Sequence, residues 1–186
     1  NSWDTSSATD MRDMFYGSDF NQDISSWDTS LVESMTYMFY LASDFNQSLV
    51  DWDLSSCTNA NNMFRGTSMT GDISEWKLGS LLNARTMFMS TPFNGDINTK
   101  TVTNSKGTYT AWDMSTVTDM SLMFRNATLF NQDLDNWDTS SVTDMNEMFR
   151  EANVFNGDVS TWNTSLVETM GLMFYRNNNF NQDVSN

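Results

Sequence analysis

Large apolar residues return at fixed intervals along this chain. Tryptophan falls at Trp3, Trp27, Trp52, Trp76, Trp112, Trp137 and Trp162, with neighbours 24, 25, 24, 36, 25 and 25 residues apart. Each Trp is followed by a Met-Phe pair, from Met14-Phe15 to Met173-Phe174. Phe-Asn comes next, as in Phe130-Asn131, with Met69-Thr70 as its degenerate copy. A branched aliphatic residue closes each unit: Ile24, Leu49, Ile73, Ile97, Leu134, Val159 and Val184. All seven Trp, all thirteen Phe and twelve of the fifteen Met occupy fixed columns. A unit this short cannot bury its own apolar face, so copies must stack, and a constant column means a constant place in a shared core.

Two periods appear within a unit. Val142, Met145, Met148 and Phe149 lie at i, i+3, i+6 and i+7, the spacing of one face of a short helix or of 3-10 turns. Ser140 and Ser141 precede them as N-cap candidates, with acidic residues such as Asp144 and Glu33 in the first turn. The later Gln-Asp-aliphatic stretch leading to the next Trp is extended in character. Its copies, side by side, would form a parallel sheet with one strand per coil. The expected fold is a repeat solenoid filling 1–186 as one segment of seven coils of 24–25 residues. Each coil is expected to carry a short parallel strand plus a short helix or 3-10 turns.

The fourth unit breaks the rule. Ile97 and Trp112 lie fifteen residues apart, where the other units use three. The added stretch is rich in Thr, which suits strands, and Asn104-Ser105-Lys106-Gly107 reads as a turn. Residues 98–109 are therefore expected to form a β-hairpin leaving the stack. Lys100, Lys106 and Tyr109 are its candidate contact residues for another molecule. A tolerated surface insertion is the plainer reading, because loops accept added length cheaply.

Composition excludes several functions. Nine Lys and Arg stand against 24 Asp and Glu, a net charge of −15, which argues against nucleic acid and anionic membranes as partners. No apolar run of transmembrane length occurs, so no membrane span is expected. With no His and one Cys, the chain lacks Ser-His and Cys-His nucleophilic pairs, His-liganded zinc and disulfides. Cys57 shares a column with Val32, Val117 and Val142 and reads as a small buried hydrophobe. Carboxylates recur in nearly every unit, which suits a structural ladder better than one unique acid-base pair. No enzyme activity is expected.

Four polar columns remain as candidates. Asn21, Asn46, Asn94, Asn131, Asn156 and Asn181 suggest side-chain amides satisfying backbone groups between coils, or else a glycan or ligand role. Among the N-x-S/T sequons at Asn46, Asn126 and Asn163, the latter two are the better glycosylation candidates. Asp23, Asp72, Asp96, Asp133, Asp158 and Asp183 form one acidic column; Asp4, Asp28, Asp53, Asp113 and Asp138 form another. Carboxylates stacked about 5 Å apart repel by ~1 kcal/mol per pair even in water-like dielectric. Either local Asx-turns to backbone N–H groups or weak Ca²⁺ sites on the first column would offset this. No other cofactor is implied. The Thr column (Thr5, Thr29, Thr139, Thr164) is broken by Leu54, Leu78 and Met114, too irregular for an ice-binding array. If Thr139 faces solvent, Thr139→Ala should cost far less than Trp137→Ala.

The unit W-D-T-S … M-F … F-N-Q-D, seen whole from Trp112 to Asn136 and from Trp137 to Thr161, resembles the bacterial surface-protein 26-residue repeat family. Those repeats look like relatives of BspA-type leucine-rich repeats. The resemblance covers the chain outside the insertion and implies a leucine-rich-repeat-like architecture, an extracellular or cell-surface location and structural or adhesive roles. Partners would be other proteins, further copies of the chain end to end, or cell-surface glycans. A Ca²⁺-dependent carbohydrate-binding module using the acidic ladders is the alternative. The apolar ends are expected to continue into further repeats or to stack on another molecule.

Overall fold

A computed structural model of the chain describes residues 3–185, and among them there is no helix. Four short strands form two two-stranded sheets. β1 (Asp53–Leu54) pairs in parallel with β2 (Lys77–Leu78), and β3 (Lys100–Asn104) pairs antiparallel with β4 (Gly107–Ala111). The leucine-rich-repeat-like solenoid, with a strand plus a helix or 3-10 turns in every coil, is therefore not the fold. The strand expected at each Gln-Asp-aliphatic stretch is also missing among the described residues. β1 and β2 instead follow Trp52 and Trp76, where Asp53 opposes Lys77 with Oδ2 3.4 Å from the ammonium.

Backbone conformation explains the missing helix. The residue before each Met-Phe pair has positive φ: Asp13, Tyr37, Asn62, Thr86, Leu122, Glu147 and Leu172, all between 55° and 59°. So does the residue three beyond that Met: Gly17, Leu41, Gly66, Ser90, Asn126, Glu151 and Arg176. A right-handed helix needs an unbroken run of negative φ, and two left-handed residues four places apart forbid it. The chain instead closes i to i+3 turns with the left-handed residue third, as a type II turn requires. Met38 N–H donates to Met35 O at 3.1 Å, and Ala42 N–H to Phe39 O at 2.9 Å.

The alternate N–H groups point along the stack. Met35, Tyr37, Phe39 and Leu41 donate to the carbonyls of Asn59, Asn61, Met63 and Arg65 in the next repeat, at 2.9 to 3.0 Å. Half of the segment's donors thus close turns and half join repeats, which satisfies the backbone without a regular sheet. Six isolated parallel bridges mark the same joints, from Asp10 with Ser34 to Asp144 with Thr169.

Apolar columns fill the interior. Phe15, Phe39, Phe64, Phe88, Phe124, Phe149 and Phe174 stack with ring centroids 5.4 to 5.8 Å apart. Indole rings stack likewise from Trp76 through Trp112 and Trp137 to Trp162. Each indole N–H from Trp52 onward donates to the carbonyl of a closing aliphatic residue. Trp137 reaches Ile97 O at 2.8 Å, and Trp162 reaches Leu134 O at 2.9 Å. A large apolar ring is thereby buried with its one polar atom paired.

The Thr column lies inside except at its last rung, the exposed Thr164. Thr29 and Thr139 are each 1% exposed, beside buried Leu54, Leu78 and Met114 of the same column. Thr29 Oγ1 donates to Asp53 O at 2.9 Å and Thr139 Oγ1 to Asn163 O at 3.0 Å. A solvent-facing Thr139 is thus ruled out. Thr and Leu alternate here because a hydroxyl that caps the next repeat's carbonyl is as well accommodated as a methyl.

Candidate functional site

The hairpin breaks the repeat, and it folds back along the stack. Its strands pair from Lys100 with Ala111 to Asn104 with Gly107, and the chain rejoins the stack at Trp112, whose N–H donates to Trp76 O at 3.0 Å. Val102 and Ala111 of its inner face join the core. Tyr109 Oη donates to Glu75 O at 2.7 Å. Asn104 Nδ2 donates to the Glu75 carboxylate at 2.7 Å and to Tyr109 Oη at 3.0 Å. Lys106 Nζ donates to Val50 O at 3.4 Å and Trp52 O at 3.5 Å. The tip therefore reaches back over the ends of the third and second repeats.

Lys106 and Tyr109 come together there, with the ammonium 5.9 Å from the ring centroid. Burial pushes the Tyr109 phenol up, and the carboxylates of Glu75, Asp53 and Asp51 add to this, while the Asn104 amide opposes them. Lys100 lies apart from them at the base of the hairpin, 2.7 Å from Asp96 Oδ2. Burial acts to raise the Asp96 pKa, but Lys100 and the Asn98 N–H outweigh it and hold the carboxyl below its usual value.

Across from the tip runs an open groove of about 440 Å³, lined by Ser25, Ser26, Trp27, Asp28, Asp51, Ser105 and Lys106. Two further depressions, about 220 and 190 Å³, lie on the faces carrying Trp162 with Phe174 and Trp3 with Phe15. In the sequence Lys106 of the groove stands out as a hairpin contact residue, whereas Asp28 is only a rung of an acidic column. Nothing linear connects residues 25–28 with 105–106, so only the folded-back hairpin could have revealed the pairing.

The acidic columns are committed locally. Asp72, Asp158 and Asp183 accept the N–H of the residue two positions on, Ser74, Ser160 and Ser185, at 2.8 to 3.0 Å, and Asp23 does the same with Ser25 at 2.9 Å. Asp96 accepts from Asn98, and Asp133 from the Asp158 N–H in the next repeat. In the second column Ser6, Ser30 and Ser140 donate to Asp4, Asp28 and Asp138, and hold these carboxyls below their usual range. Among the described residues no three of His, Cys, Asp and Glu gather as a metal site would need.

Asparagine side chains run as a surface ladder. Asn21, Asn94, Asn131 and Asn156 Oδ1 accept the N–H of Asn46, Asn131, Asn156 and Asn181, at 2.7 to 2.9 Å. Asn46 Oδ1 accepts from Thr70. Of the glycosylation candidates, Asn126 is exposed at one of the left-handed positions, with its amide on Ser90 Oγ at 3.2 Å. Asn163, also exposed, holds the Ser165 N–H at 3.0 Å. Cys57 is fully buried, which pushes its thiol up to about 11 and leaves it unreactive at neutral pH.

One outward column lies outside the candidates that the sequence marks. It runs Tyr16, Tyr40, Arg65, Met89, Arg125, Arg150 and Tyr175, one residue per repeat directly after each Met-Phe pair. Tyr16 stacks on Tyr40 at 4.8 Å, with Arg65 5.3 Å from the Tyr40 ring; Arg150 lies 5.0 Å from Tyr175. Glu147 pairs with both Arg125 and Arg150 at 3.0 Å. Arg12, Arg85 and Arg176 project from the same turn segment, so it carries all six arginines of the chain. Aligning the repeats by their Met-Phe pairs was signal enough to find it.

This construction of stacked near-identical units defines a repeat protein. Residues 1–100 and 98–186 match the family described as Mycoplasma protein of unknown function, DUF285, and the chain belongs to that family. The match supports a repeat family and not, specifically, the BspA-type leucine-rich repeats. No curated protein and no solved structure matches the chain. No helix among the described residues is long and apolar enough to cross a membrane.

Proposed function

We propose that the chain is an extracellular or cell-surface structural and adhesive module whose partners are other proteins or cell-surface glycans. The observation that carries this reading is the outward Tyr and Arg column, displayed in six of the seven repeats on a backbone tied repeat to repeat. Tyr and Arg are the side chains that, with Trp, dominate binding energy at protein interfaces. A stacked ladder of them offers a partner many weak contacts in register, and linked contacts add up to avidity. A calcium-dependent reading draws no comparable support, since the carboxylates it needs already accept backbone N–H groups.

Two measurements test the proposal. Trypsin applied to intact cells of the source organism should remove the protein as completely as it does after lysis. Beads coated with the chain should adhere to cultured cells, and Arg65→Ala with Arg125→Ala should reduce that adhesion several-fold. Protection in intact cells, or adhesion no better than that of albumin-coated beads, overturns the reading.

A further inference from the structure

We propose that the groove between the hairpin tip and the second repeat binds neutral oligosaccharides, without a metal ion. The inference rests on the surface role above and names its ligand class. Elsewhere the wall of the stack repeats itself; here the hairpin turns back and borders an open groove of about 440 Å³. Its lining interleaves two carboxylates, Asp28 and Asp51, with one ammonium, Lys106, and three hydroxyls, Ser25, Ser26 and Ser105. Carboxylates only accept, an ammonium only donates, and hydroxyls do both. A sugar ring, whose neighbouring hydroxyls each donate and accept, matches that mixture.

The groups are held ready. Ser30 donates both its N–H and its Oγ–H to Asp28 Oδ1, at 3.0 and 2.6 Å, which fixes the carboxylate and leaves Oδ2 for a ligand hydroxyl. The Val50 and Trp52 carbonyls hold the Lys106 ammonium at 3.4 and 3.5 Å, and an ammonium has three protons to give. Little ordering of these two groups remains to be done on binding. Two carboxylates against one ammonium, on a chain of net charge −15, repel sulfate, phosphate and uronate groups. Selection for an uncharged saccharide follows.

The experiment is calorimetry of the 186-residue chain in EDTA with cellotetraose, maltotetraose, mannotetraose and chitotetraose, and with a heparin tetrasaccharide as the anionic probe. Saturable binding of at least one neutral tetrasaccharide and none of the heparin fragment is expected. Asp28→Asn and Lys106→Gln should each weaken it at least about tenfold, the loss of one hydrogen bond to a charged group. Thr101→Ala, at the base of the hairpin, should leave it unchanged, and thermal melts of all three variants show whether they fold. No binding of any neutral probe, preference for heparin, unchanged affinity in both folded groove variants, or loss of binding in EDTA overturns the proposal. Beads that adhere to cells while no neutral tetrasaccharide binds sink the groove and leave the surface role standing. Tetrasaccharide binding by a chain whose beads do not adhere does the reverse.

Discussion

The regular repeats and the hairpin insertion solve the same problem by different means. In the repeats, backbone N–H groups alternate between closing a turn and reaching the next repeat, and rings stack in columns about 5.4 to 5.8 Å apart. Every position has a counterpart above and below, so any chemistry it carries is multiplied along the stack. The hairpin has no counterpart. Apart from the Trp112 N–H bond to Trp76 O just after it and the burial of Val102 and Ala111, side chains fasten it to carbonyls: Tyr109 to Glu75, Lys106 to Val50 and Trp52. Repetition produces ladders and a shared core. The interruption produces the groove at Asp28 and Lys106.

Substitutions can break or sharpen that contrast. The largest effect belongs to the core columns. Trp137→Ala removes a ring stacked between Trp112 and Trp162 and leaves Ile97 O without its indole donor, so it should cost about 3–5 kcal/mol in urea melts. Thr139→Ala comes next, at about 1–3 kcal/mol, because the Asn163 carbonyl loses its buried partner. A cost near zero there would mean that Thr139 faces water after all.

Smaller effects belong to the hairpin and the turns. Tyr109→Phe removes the bond to Glu75 O and the one accepted from Asn104 Nδ2 and should cost about 1–2 kcal/mol, with the hairpin's amide protons exchanging faster than those of the stack. Uniform exchange would show that the hairpin opens together with the repeats. Leu41→Gly should stabilise by about 0.5–1 kcal/mol, since Leu41 is exposed and holds φ at 55°. A destabilising result would mean that its side chain packs usefully against the neighbouring repeat.

Acid gives the smallest effect per group. Hydrogen bonds from the Ser two residues on hold Asp4, Asp28 and Asp138 below their ordinary value of 3.8. A depressed carboxyl stabilises the fold fully above its unfolded value and ceases to as pH falls through the lower folded one. The melting temperature should therefore hold level through neutral pH and fall below about pH 4, a little less steeply in Asp138→Asn. A melting temperature flat down to pH 2.5 would show that these turns contribute nothing.

The sequence by itself determined which residues form the interior and how often the pattern returns. Trp, Phe and Met columns need only be large, apolar and evenly spaced to declare a shared core, because burial acts on side-chain area whatever the backbone path. It also made the local Asx-turns of the aspartate columns legible, since Asp bonds an N–H two residues away in its own chain. Tertiary structure decided the backbone path. The spacing of Val142, Met145, Met148 and Phe149 fits a helix, but the chain takes left-handed conformations at Glu147 and Glu151, residues that carry no such mark in a linear reading. Those conformations turn N–H groups toward the neighbouring repeat, and the inter-repeat bonds that hold them there exist only once the repeats have stacked. Thr139 went inside for the same reason, its hydroxyl finding Asn163 O in the following repeat. The groove is likewise a product of contact between segments far apart in the chain, residues 25–28 and 105–106, whose meeting depends on where Tyr109 and Lys106 find free carbonyls on the stack.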